Sequence, residues 1–140
     1  MGAQTMLTVK PTICEIAAEG SLLAVRANLR AAAVELGFGI VGQAKLMTAA
    51  SELARNILRY AGRGTMVMER VQADRRIGLR ARFDDSGPGI PNLELALQDG
   101  YSSSDGMGVG LSGARRLVDD FHIESEPGKG TTVEITVWVR

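Results

Sequence analysis

The sequence contains very few of the residues that most often build metal sites and nucleophilic catalytic sites. Cys14 is the only cysteine and His122 the only histidine among 140 residues. One cysteine cannot form an internal disulfide, and one histidine supplies neither a His/Cys metal cluster nor a convincing catalytic triad. Much of the usual range of enzyme sites is therefore excluded, and His122, at the start of a predicted strand, is expected to be structural.

The sequence also lacks an excess of charge of either sign and lacks long hydrophobic runs. Lys plus Arg and Asp plus Glu both number 16, so no overall basic field favours nucleic acid or an anionic membrane as a partner. The longest apolar runs are interrupted by charge or glycine well short of a membrane span, and the N-terminus has no basic segment followed by an apolar core. We therefore expect a soluble cytoplasmic protein that binds neither nucleic acid nor membranes.

The length and composition indicate one domain over residues 1–140. With 45% hydrophobic and 23% charged residues, the chain suits a single globular domain with a sizeable core. In its first half, the apolar spacing predicts a strand in TICEI, a helix capped by Ser21 and closed by Gly37, a link over residues 38–42, and a strong helix that ends near Gly62.

The second half of the chain alternates between strand and helix patterns. The runs TMVMERVQ and IGLRARFD, separated by ADRR, predict an antiparallel hairpin. NLELALQDG predicts a short helix, YSSSDGMGVG a loop and LSGARRLVDDF a further helix, while HIESE and TTVEITVWV around PGKG predict a closing hairpin. Together the blocks predict an α+β fold, a two-layer sandwich in which helices cover one face of a mixed, mainly antiparallel sheet.

The strong helix contains a polar group within SELARN. Glu52 and Asn56 are four residues apart and so share a helix face, with Arg55 beside them. A carboxylate one turn from a carboxamide can place a general base next to an oxygen ligand for magnesium. Taken alone, the same pair also fits an exposed polar face on which Glu52 and Asn56 share a hydrogen bond.

The stretch FDDSGPGIP joins a predicted interior strand to a glycine-rich turn. Asp85 ends the strand, and Gly87 and Gly89 follow it. Glycines let a ligand approach the backbone, and a carboxylate can accept a hydrogen bond from an exocyclic amino group such as that of adenine. An isolated Asp-x-Gly-x-Gly is nevertheless more often an ordinary tight turn.

The stretch GMGVGL, residues 106–111, leads directly into a predicted helix. Glycines before a helix expose unpaired backbone amides, and the helix N-terminus adds a favourable dipole, so phosphates fit there. The stretch is not the dinucleotide fingerprint, because a polar loop replaces the strand that should precede it. GKG, residues 128–130, is not a Walker-type phosphate loop, because no Ser or Thr directly follows its lysine.

The order and spacing of these pieces resemble the GHKL ATPase superfamily, whose Bergerat fold is shared by gyrase and histidine kinases. The resemblance rests on ELGFG, SELARNILRYAG, DDSGPGIP and GYSSSDGMGVGLSGARRLVDDF, with the Gly-Thr pair after Lys129. Within the superfamily, the motifs look most like those of the small bacterial serine/threonine kinases of partner-switching systems, in particular the stressosome switch kinases. The match begins near Ile13 and leaves residues 1–11 as an N-terminal extension without an assigned role.

By analogy with that family, each motif residue acquires an expected role. Glu52 would be the catalytic base, Asn56 the magnesium ligand at the ATP site, and Asp85 the acceptor of the adenine amino group. Residues 92–107 would form a short nucleotide lid. The other positions expected to contact ATP, around the adenine and the phosphates, are Gly87, Gly89, Ile90, Gly106, Gly108, Val109, Gly110, Leu111 and Thr131.

The resemblance implies transfer of the γ-phosphoryl group of ATP, with magnesium, to a serine or threonine of a protein. The implied substrate is a STAS-domain antagonist, and a PP2C-type phosphatase is an implied output partner. Two alternatives stay open: an anti-sigma factor kinase that binds an alternative sigma factor, and a nucleotide-gated binding module with little catalysis. A sensor histidine kinase is disfavoured, because no residue resembles its acceptor histidine.

Overall fold

Five strands and four α-helices make up the described part of the chain. The computed structural model describes residues 11–98 and 107–140. No helix in these two ranges combines the length and the apolar character needed to cross a membrane. In chain order the elements are β1 (Thr12–Ile16), α1 (Ser21–Leu36), α2 (Ile40–Asn56), a π-helical segment (Ile57–Ala61), β2 (Gly64–Ala73), β3 (Arg76–Asp85), α3 (Leu93–Ala96), α4 (Met107–Leu117), β4 (Asp120–Glu126) and β5 (Gly130–Trp138).

The five strands form one sheet in the order β1-β2-β3-β5-β4. Every strand pairing among the described residues is antiparallel. The predicted α+β fold is therefore confirmed, without the parallel component that a mixed sheet would contain. The two hairpins, β2–β3 and β4–β5, join along β3 and β5, which places β3 at the centre of the sheet.

The helices cover one face of the sheet, and the burial along β3 alternates accordingly. Leu79, Ala81 and Phe83 are buried in the core. Arg80 and Arg82 are on the other face, where Arg80 lies 3.9 Å from glutamates of both neighbouring strands. The sheet therefore has one apolar face packed on helices and one charged face, which confirms the predicted two-layer sandwich.

Cys14 belongs to this core and not to a reactive surface site. Its side chain is buried, and Asn28 Nδ2 donates a hydrogen bond to its Sγ at 3.3 Å. Burial raises the pKa of the Cys14 thiol, and the hydrogen bond from Asn28 offsets part of that rise. The thiol is therefore protonated and unreactive at neutral pH.

The start of α1 differs from the sequence prediction. The helix begins at Ser21 itself, after Gly20, and no side chain caps it. The Ser21 hydroxyl accepts hydrogen bonds from the N–H groups of Ala17 at 3.1 Å and Ala18 at 3.2 Å. The prediction of Ser21 as the N-cap is wrong, because its hydroxyl closes the turn that precedes the helix.

The link between α1 and α2 is shorter than predicted. Gly37 closes α1 in the left-handed conformation, with φ of 94°, as expected for a C-cap glycine. Gly39 is extended and serves as the N-cap of α2, which begins at Ile40. The predicted link over residues 38–42 is therefore wrong at its end, because the first turn of α2 already includes Ile40 and Gly42.

A π-helical segment, Ile57–Ala61, continues α2 beyond Asn56. The predicted helix does extend to Gly62, which ends it with φ of 86°, but its last five residues change hydrogen-bond pattern. Segments of this kind are rare and often lie at functional sites. Here Ile57 and Tyr60 of the segment line a cleft.

The β2–β3 hairpin is confirmed, with a tighter turn than the ADRR spacing predicts. Two residues, Asp74 and Arg75, connect the strands. Asp74 has φ of 55°, a left-handed conformation that aspartate tolerates and that two-residue hairpin turns need. The closing β4–β5 hairpin is confirmed as well, although β4 already begins at Asp120.

Candidate functional site

The end of β3 sends two adjacent aspartates to opposite faces of the sheet. Asp84 lies on the charged face, where it accepts hydrogen bonds from Arg82 Nε at 2.8 Å and from Thr132 Oγ1 at 2.7 Å. Asp85 lies on the helix-covered face, directly opposite Thr131 of β5. Both Asp85 and Thr131 line one cleft.

The glycine-rich loop after β3 is fixed by Asp85. Its Oδ1 accepts the N–H of Gly87 at 2.8 Å, and the carboxylate makes no second hydrogen bond within the described residues. A Cβ on Gly87 would lie 2.6 Å from the Ala61 Cβ, and Gly89 has φ of 78° with no room beside the Glu126 carbonyl. Gly87 and Gly89 are therefore needed because the protein packs closely against the loop, and Asp85 Oδ2 has no hydrogen-bond partner among the described residues.

The β4–β5 turn packs against this loop. The N–H of Gly128 donates to the Pro88 carbonyl at 2.8 Å. Gly130 has φ of 124°, and a Cβ there would overlap the carbonyl oxygen of Asp85. The turn therefore supports the loop that forms one wall of the cleft. Position 130 requires glycine because any side chain there would collide with the Asp85 backbone.

Replacing Gly130 by Ala is expected to destabilise the protein by about 3 kcal/mol or more, because the added methyl meets backbone that cannot move aside. Gly128→Ala is the matched control, because Gly128 also has positive φ, at 83°, but open space around it. Its expected cost is about 1–2 kcal/mol. Urea unfolding of both variants measures the difference, and equal destabilisation would contradict the steric explanation.

The cleft lies between the end of the sheet, the end of α2 and the start of α4. It encloses about 460 Å³ of space not filled by protein atoms, a figure that includes open solvent at its mouth. Three polar residues, Asn56, Asp85 and Thr131, lie among apolar ones, a composition that suits a flat aromatic ligand held by a few hydrogen bonds. The apolar side chains of its wall are Leu53, Ile57, Tyr60, Phe83, Pro88, Ile90, Leu111 and Val133.

Glu52 and Asn56 meet α4 at Gly110. A Cβ on Gly110 would lie 3.2 Å from Asn56 Nδ2 and 3.3 Å from Glu52 Oε1. Arg55 Nη1 donates to the other oxygen, Glu52 Oε2, at 3.1 Å. The alternative of a Glu52–Asn56 hydrogen bond is therefore wrong, since Asn56 Nδ2 has no hydrogen-bond partner among the described residues and Glu52 pairs with Arg55.

α4 begins at Met107, earlier than predicted. The prediction of a loop through residue 110 is wrong, because Gly108, Val109 and Gly110 lie in the first turn of the helix. Packing of α4 against α2 explains how a glycine-rich segment becomes helical despite its low propensity. The first four N–H groups of a helix lack partners within it, so this end favours an anion. Gly106 lies outside the described residues.

Asn56 has surroundings that fit a bound ligand. Its Nδ2 is buried and has no hydrogen-bond partner among the described residues, which is costly unless a ligand supplies one. A flip of the carboxamide exchanges its N–H and oxygen ends, so Asn56 can face either a phosphate oxygen or a metal.

The described residues around Asn56 supply few metal ligands. Within residues 11–98 and 107–140, no three His, Cys, Asp or Glu side chains are grouped to hold a metal ion. A magnesium ion at Asn56 would therefore take most of its oxygen ligands from phosphates and water, as magnesium commonly does. The donor set fits magnesium brought in by a nucleotide.

The structure brings most of the predicted site residues together. Glu52 and Gly110 lie beside Asn56, and Asn56 also lines the cleft, so the two groups are continuous. Gly87 lies behind the wall and does not line it. The predicted residues that line the cleft are Asn56, Asp85, Gly89, Ile90, Leu111 and Thr131. The predicted lid, residues 92–107, falls partly outside the described residues.

Sequence reasoning missed two sets of residues at the site. Leu53, Ile57 and Tyr60 belong to the apolar stripe of the strong helix, and periodicity alone does not separate a core face from a cleft wall. Ser125, whose Oγ accepts the Ile90 N–H and lies 2.8 Å from Thr131 Oγ1, belongs to no motif. Its position one strand away from Thr131 is visible only from the β4–β5 register.

The part of the chain that builds this site matches a known protein family. Residues 42–140 match the family described as histidine kinase-, DNA gyrase B-, and HSP90-like ATPase. The chain belongs to this ATPase family. The match begins in α2 and includes both Glu52 and Asp85. The predicted membership of the GHKL superfamily is confirmed.

Comparison with individual proteins shows which members of the ATPase family this chain is similar to. "Serine/threonine-protein kinase RsbT" of Bacillus subtilis (strain 168) is 45% identical over 125 residues, which cover 89% of this chain and 94% of that protein. An "Anti-sigma F factor" of Caldanaerobacter subterraneus subsp. tengcongensis is 28% identical over 120 residues, 81% of this chain and 82% of that protein. Another, of Bacillus licheniformis, is 30% identical over 99 residues, 66% of each chain. The predicted similarity to the partner-switching kinases is confirmed.

Proposed function

We propose that the protein is a serine/threonine-protein kinase that transfers the γ-phosphoryl group of ATP to a hydroxyl of another protein. The observation that carries the proposal is the position of Glu52. One of its oxygens lies at the Gly110 backbone, beside Asn56, at the start of α4. A base at the phosphate end of a nucleotide cleft is what transfer to a hydroxyl needs. The 45% identity to RsbT supports the same reaction.

In the proposed reaction, Asp85 accepts a hydrogen bond from the adenine amino group and thereby orients the base in the apolar cleft. Glu52 Oε1 accepts the proton of the incoming serine or threonine hydroxyl. As the hydroxyl oxygen bonds to the γ-phosphorus, the bond to the β,γ-bridging oxygen breaks and ADP leaves. A magnesium ion bound at Asn56 would supply neutralisation of phosphate charge.

The remaining contacts to ATP are proposed for residues of the loop after β3, the start of α4 and β5. The N-terminal amides of α4 would hold phosphate oxygens, because they lack partners within the helix. These proposed ATP-binding residues are Gly89, Ile90, Gly108, Val109, Gly110, Leu111 and Thr131. Gly106, outside the described residues, is proposed with them from the sequence alone, whereas Gly87 shapes the loop without lining the cleft.

For the substrate, we propose a STAS-domain antagonist, and for the output partner a PP2C-type phosphatase. Both follow from the partner-switching kinases that the motifs SELARN and DDSGPGIP resemble. The reaction consumes ATP, and we place it in the cytoplasm. Arg55 and Glu52 are each about two-fifths exposed, which leaves the proposed base within reach of a protein substrate.

A second candidate is an anti-sigma factor kinase that also binds an alternative sigma factor. Identities of 28% and 30% to two proteins named Anti-sigma F factor favour it. The longer and stronger match to RsbT favours the first candidate. A nucleotide-gated binding module would use the same ATP site without phosphoryl transfer.

The experiment that separates these candidates mixes the purified protein with ATP, magnesium and STAS-domain proteins of the same organism, and a parallel titration measures its binding to an alternative sigma factor. Intact mass spectrometry then detects phosphoryl addition to a STAS serine or threonine, which is the expected result. ATP binding without any transfer would overturn the kinase proposal in favour of the binding module. Transfer combined with tight binding of a sigma factor would favour the second candidate.

A further inference from the structure

Ser125 is the centre of a hydrogen-bond network behind the cleft. It lies on β4 directly opposite Thr131 of β5. Its Oγ accepts the N–H of Ile90 at 2.8 Å, lies 2.8 Å from Thr131 Oγ1 and lies 3.3 Å from the Gly130 carbonyl oxygen. One hydroxyl therefore connects the loop after β3 to the threonine that lines the cleft.

Either hydroxyl can donate across the 2.8 Å contact between Ser125 and Thr131. If Thr131 were the donor, the hydrogen of Ser125 would have only the Gly130 carbonyl oxygen at 3.3 Å as its acceptor. Hydroxyl-to-oxygen hydrogen bonds are commonly about 2.7–2.8 Å long, and 3.3 Å is beyond their usual range. Thr131 Oγ1 is thus a better acceptor for Ser125 than the Gly130 carbonyl. A Ser125 hydroxyl that donates to Thr131 leaves the Thr131 hydrogen free for a ligand in the cleft.

The register of the sheet places the Thr131 side chain next to that of Asp85, because the two residues are directly opposite each other on β5 and β3, and both line the cleft. The cleft then presents an acceptor and a donor next to each other. The edge of adenine has the complementary pair, an amino donor next to the N1 acceptor. Guanine has an oxygen and an N–H at the same two positions.

We propose that Ser125 is a positioning residue for adenine recognition, which acts by turning the Thr131 hydroxyl so that it donates toward N1 of the base. The inference rests on the proposed ATP site and adds to it a residue that does not itself contact the nucleotide. Ser125 acts on the base through Thr131, while its lone pair accepts the N–H of Ile90 in the cleft wall.

The alternative is that Ser125 merely holds the loop after β3 in place through Ile90. The two explanations differ in their dependence on N1. The discriminating ligand is 1-deaza-ATP, in which a C–H replaces N1 and removes the acceptor while the shape of the base is kept. A loop-holding role would weaken ATP and 1-deaza-ATP alike, whereas a hydroxyl-directing role adds a further loss for ATP alone.

The test measures dissociation constants of ATP and 1-deaza-ATP by calorimetric titration for the wild type, Ser125→Ala, Thr131→Val and the double variant. We expect Ser125→Ala to weaken ATP binding about tenfold more than 1-deaza-ATP binding, the difference typical of one hydrogen bond, because the loss of the Ile90 contact affects both nucleotides alike. We expect the double variant to prefer ATP over 1-deaza-ATP no less than Thr131→Val alone does. Ser21→Ala is the matched control, since its hydroxyl also accepts backbone N–H bonds but lies in α1.

Each other result would overturn the inference. Equal weakening of both nucleotides by Ser125→Ala assigns Ser125 to loop support, and additive losses of ATP preference in the double variant separate it from Thr131. Equal wild-type affinity for ATP and 1-deaza-ATP removes N1 recognition altogether. In these cases ATP binding and phosphoryl transfer by the wild type persist, so the proposed function stands. A wild type that binds no ATP overturns both.

Discussion

Replacing Glu52 by Gln is expected to lower the rate of phosphoryl transfer from ATP by about 100-fold to 10,000-fold, the range that a general base contributes. Gln keeps the size of the side chain but cannot accept the hydroxyl proton. ATP affinity should change little, because Glu52 lies at the Gly110 backbone and not in the lining of the cleft. The rate is measured as single-turnover phosphoryl transfer to the protein substrate, and the affinity by calorimetric titration with ATP.

Two control variants isolate the role of the carboxylate. Glu52→Gln also removes the ion pair to Arg55, so Arg55→Gln, which removes the pair and keeps the carboxylate, shows how much the pair contributes. Glu35→Gln removes a glutamate charge from the end of α1, outside the site. The assignment of Glu52 as the base is wrong if Glu52→Gln transfers phosphate as fast as Glu35→Gln.

The sequence predicts the parts of the fold that depend on local patterns. Both hairpins and the strong helix follow from alternation and from helical spacing, and Asp85 was expected at the end of an interior strand, where it lies. Glu52 and Asn56 were expected on one helix face, and both do lie at Gly110. These features can be predicted from residues that are close together along the chain.

The parts that the sequence does not predict depend on contacts between distant segments. α4 begins before its predicted start because it packs on α2, although its glycines favour a loop. The π-helical pattern after Asn56 has no signal in the apolar spacing. Gly130 is required by the Asp85 carbonyl, 45 positions away in the chain and adjacent only in the sheet.

The resemblance to a family and the individual residue patterns contribute differently to the prediction of the site. Each polar motif by itself has an ordinary structural explanation. For Glu52 and Asn56 that explanation is excluded by the Glu52–Arg55 pair and by Asn56 Nδ2, which has no partner among the described residues. The roles of the individual residues remain proposals, since the family match covers them as a segment. The variants of Glu52 and Asp85 test those roles one at a time.

Replacing Asp85 by Asn is expected to weaken ATP binding by about 100-fold or more. The carboxylate accepts hydrogen bonds only, and its bond to an amino group is charge-assisted, so its loss costs more than that of a neutral bond. Asn can turn an N–H toward the adenine amino group, which places two donors against each other. Calorimetric titration with ATP and magnesium measures the affinity, and thermal unfolding checks that the variant folds.

Asp84→Asn is the matched control, because it makes the same chemical change at the neighbouring position. Asp84 lies on the charged face, where its oxygens accept from Arg82 and Thr132. The Asp84→Asn variant should therefore be slightly less stable than the wild type and bind ATP with unchanged affinity. If Asp84→Asn and Asp85→Asn weaken ATP equally, the loss comes from the end of β3 as a whole. A loss confined to Asp85→Asn locates adenine on the helix-covered face, because only side-chain direction distinguishes the two residues.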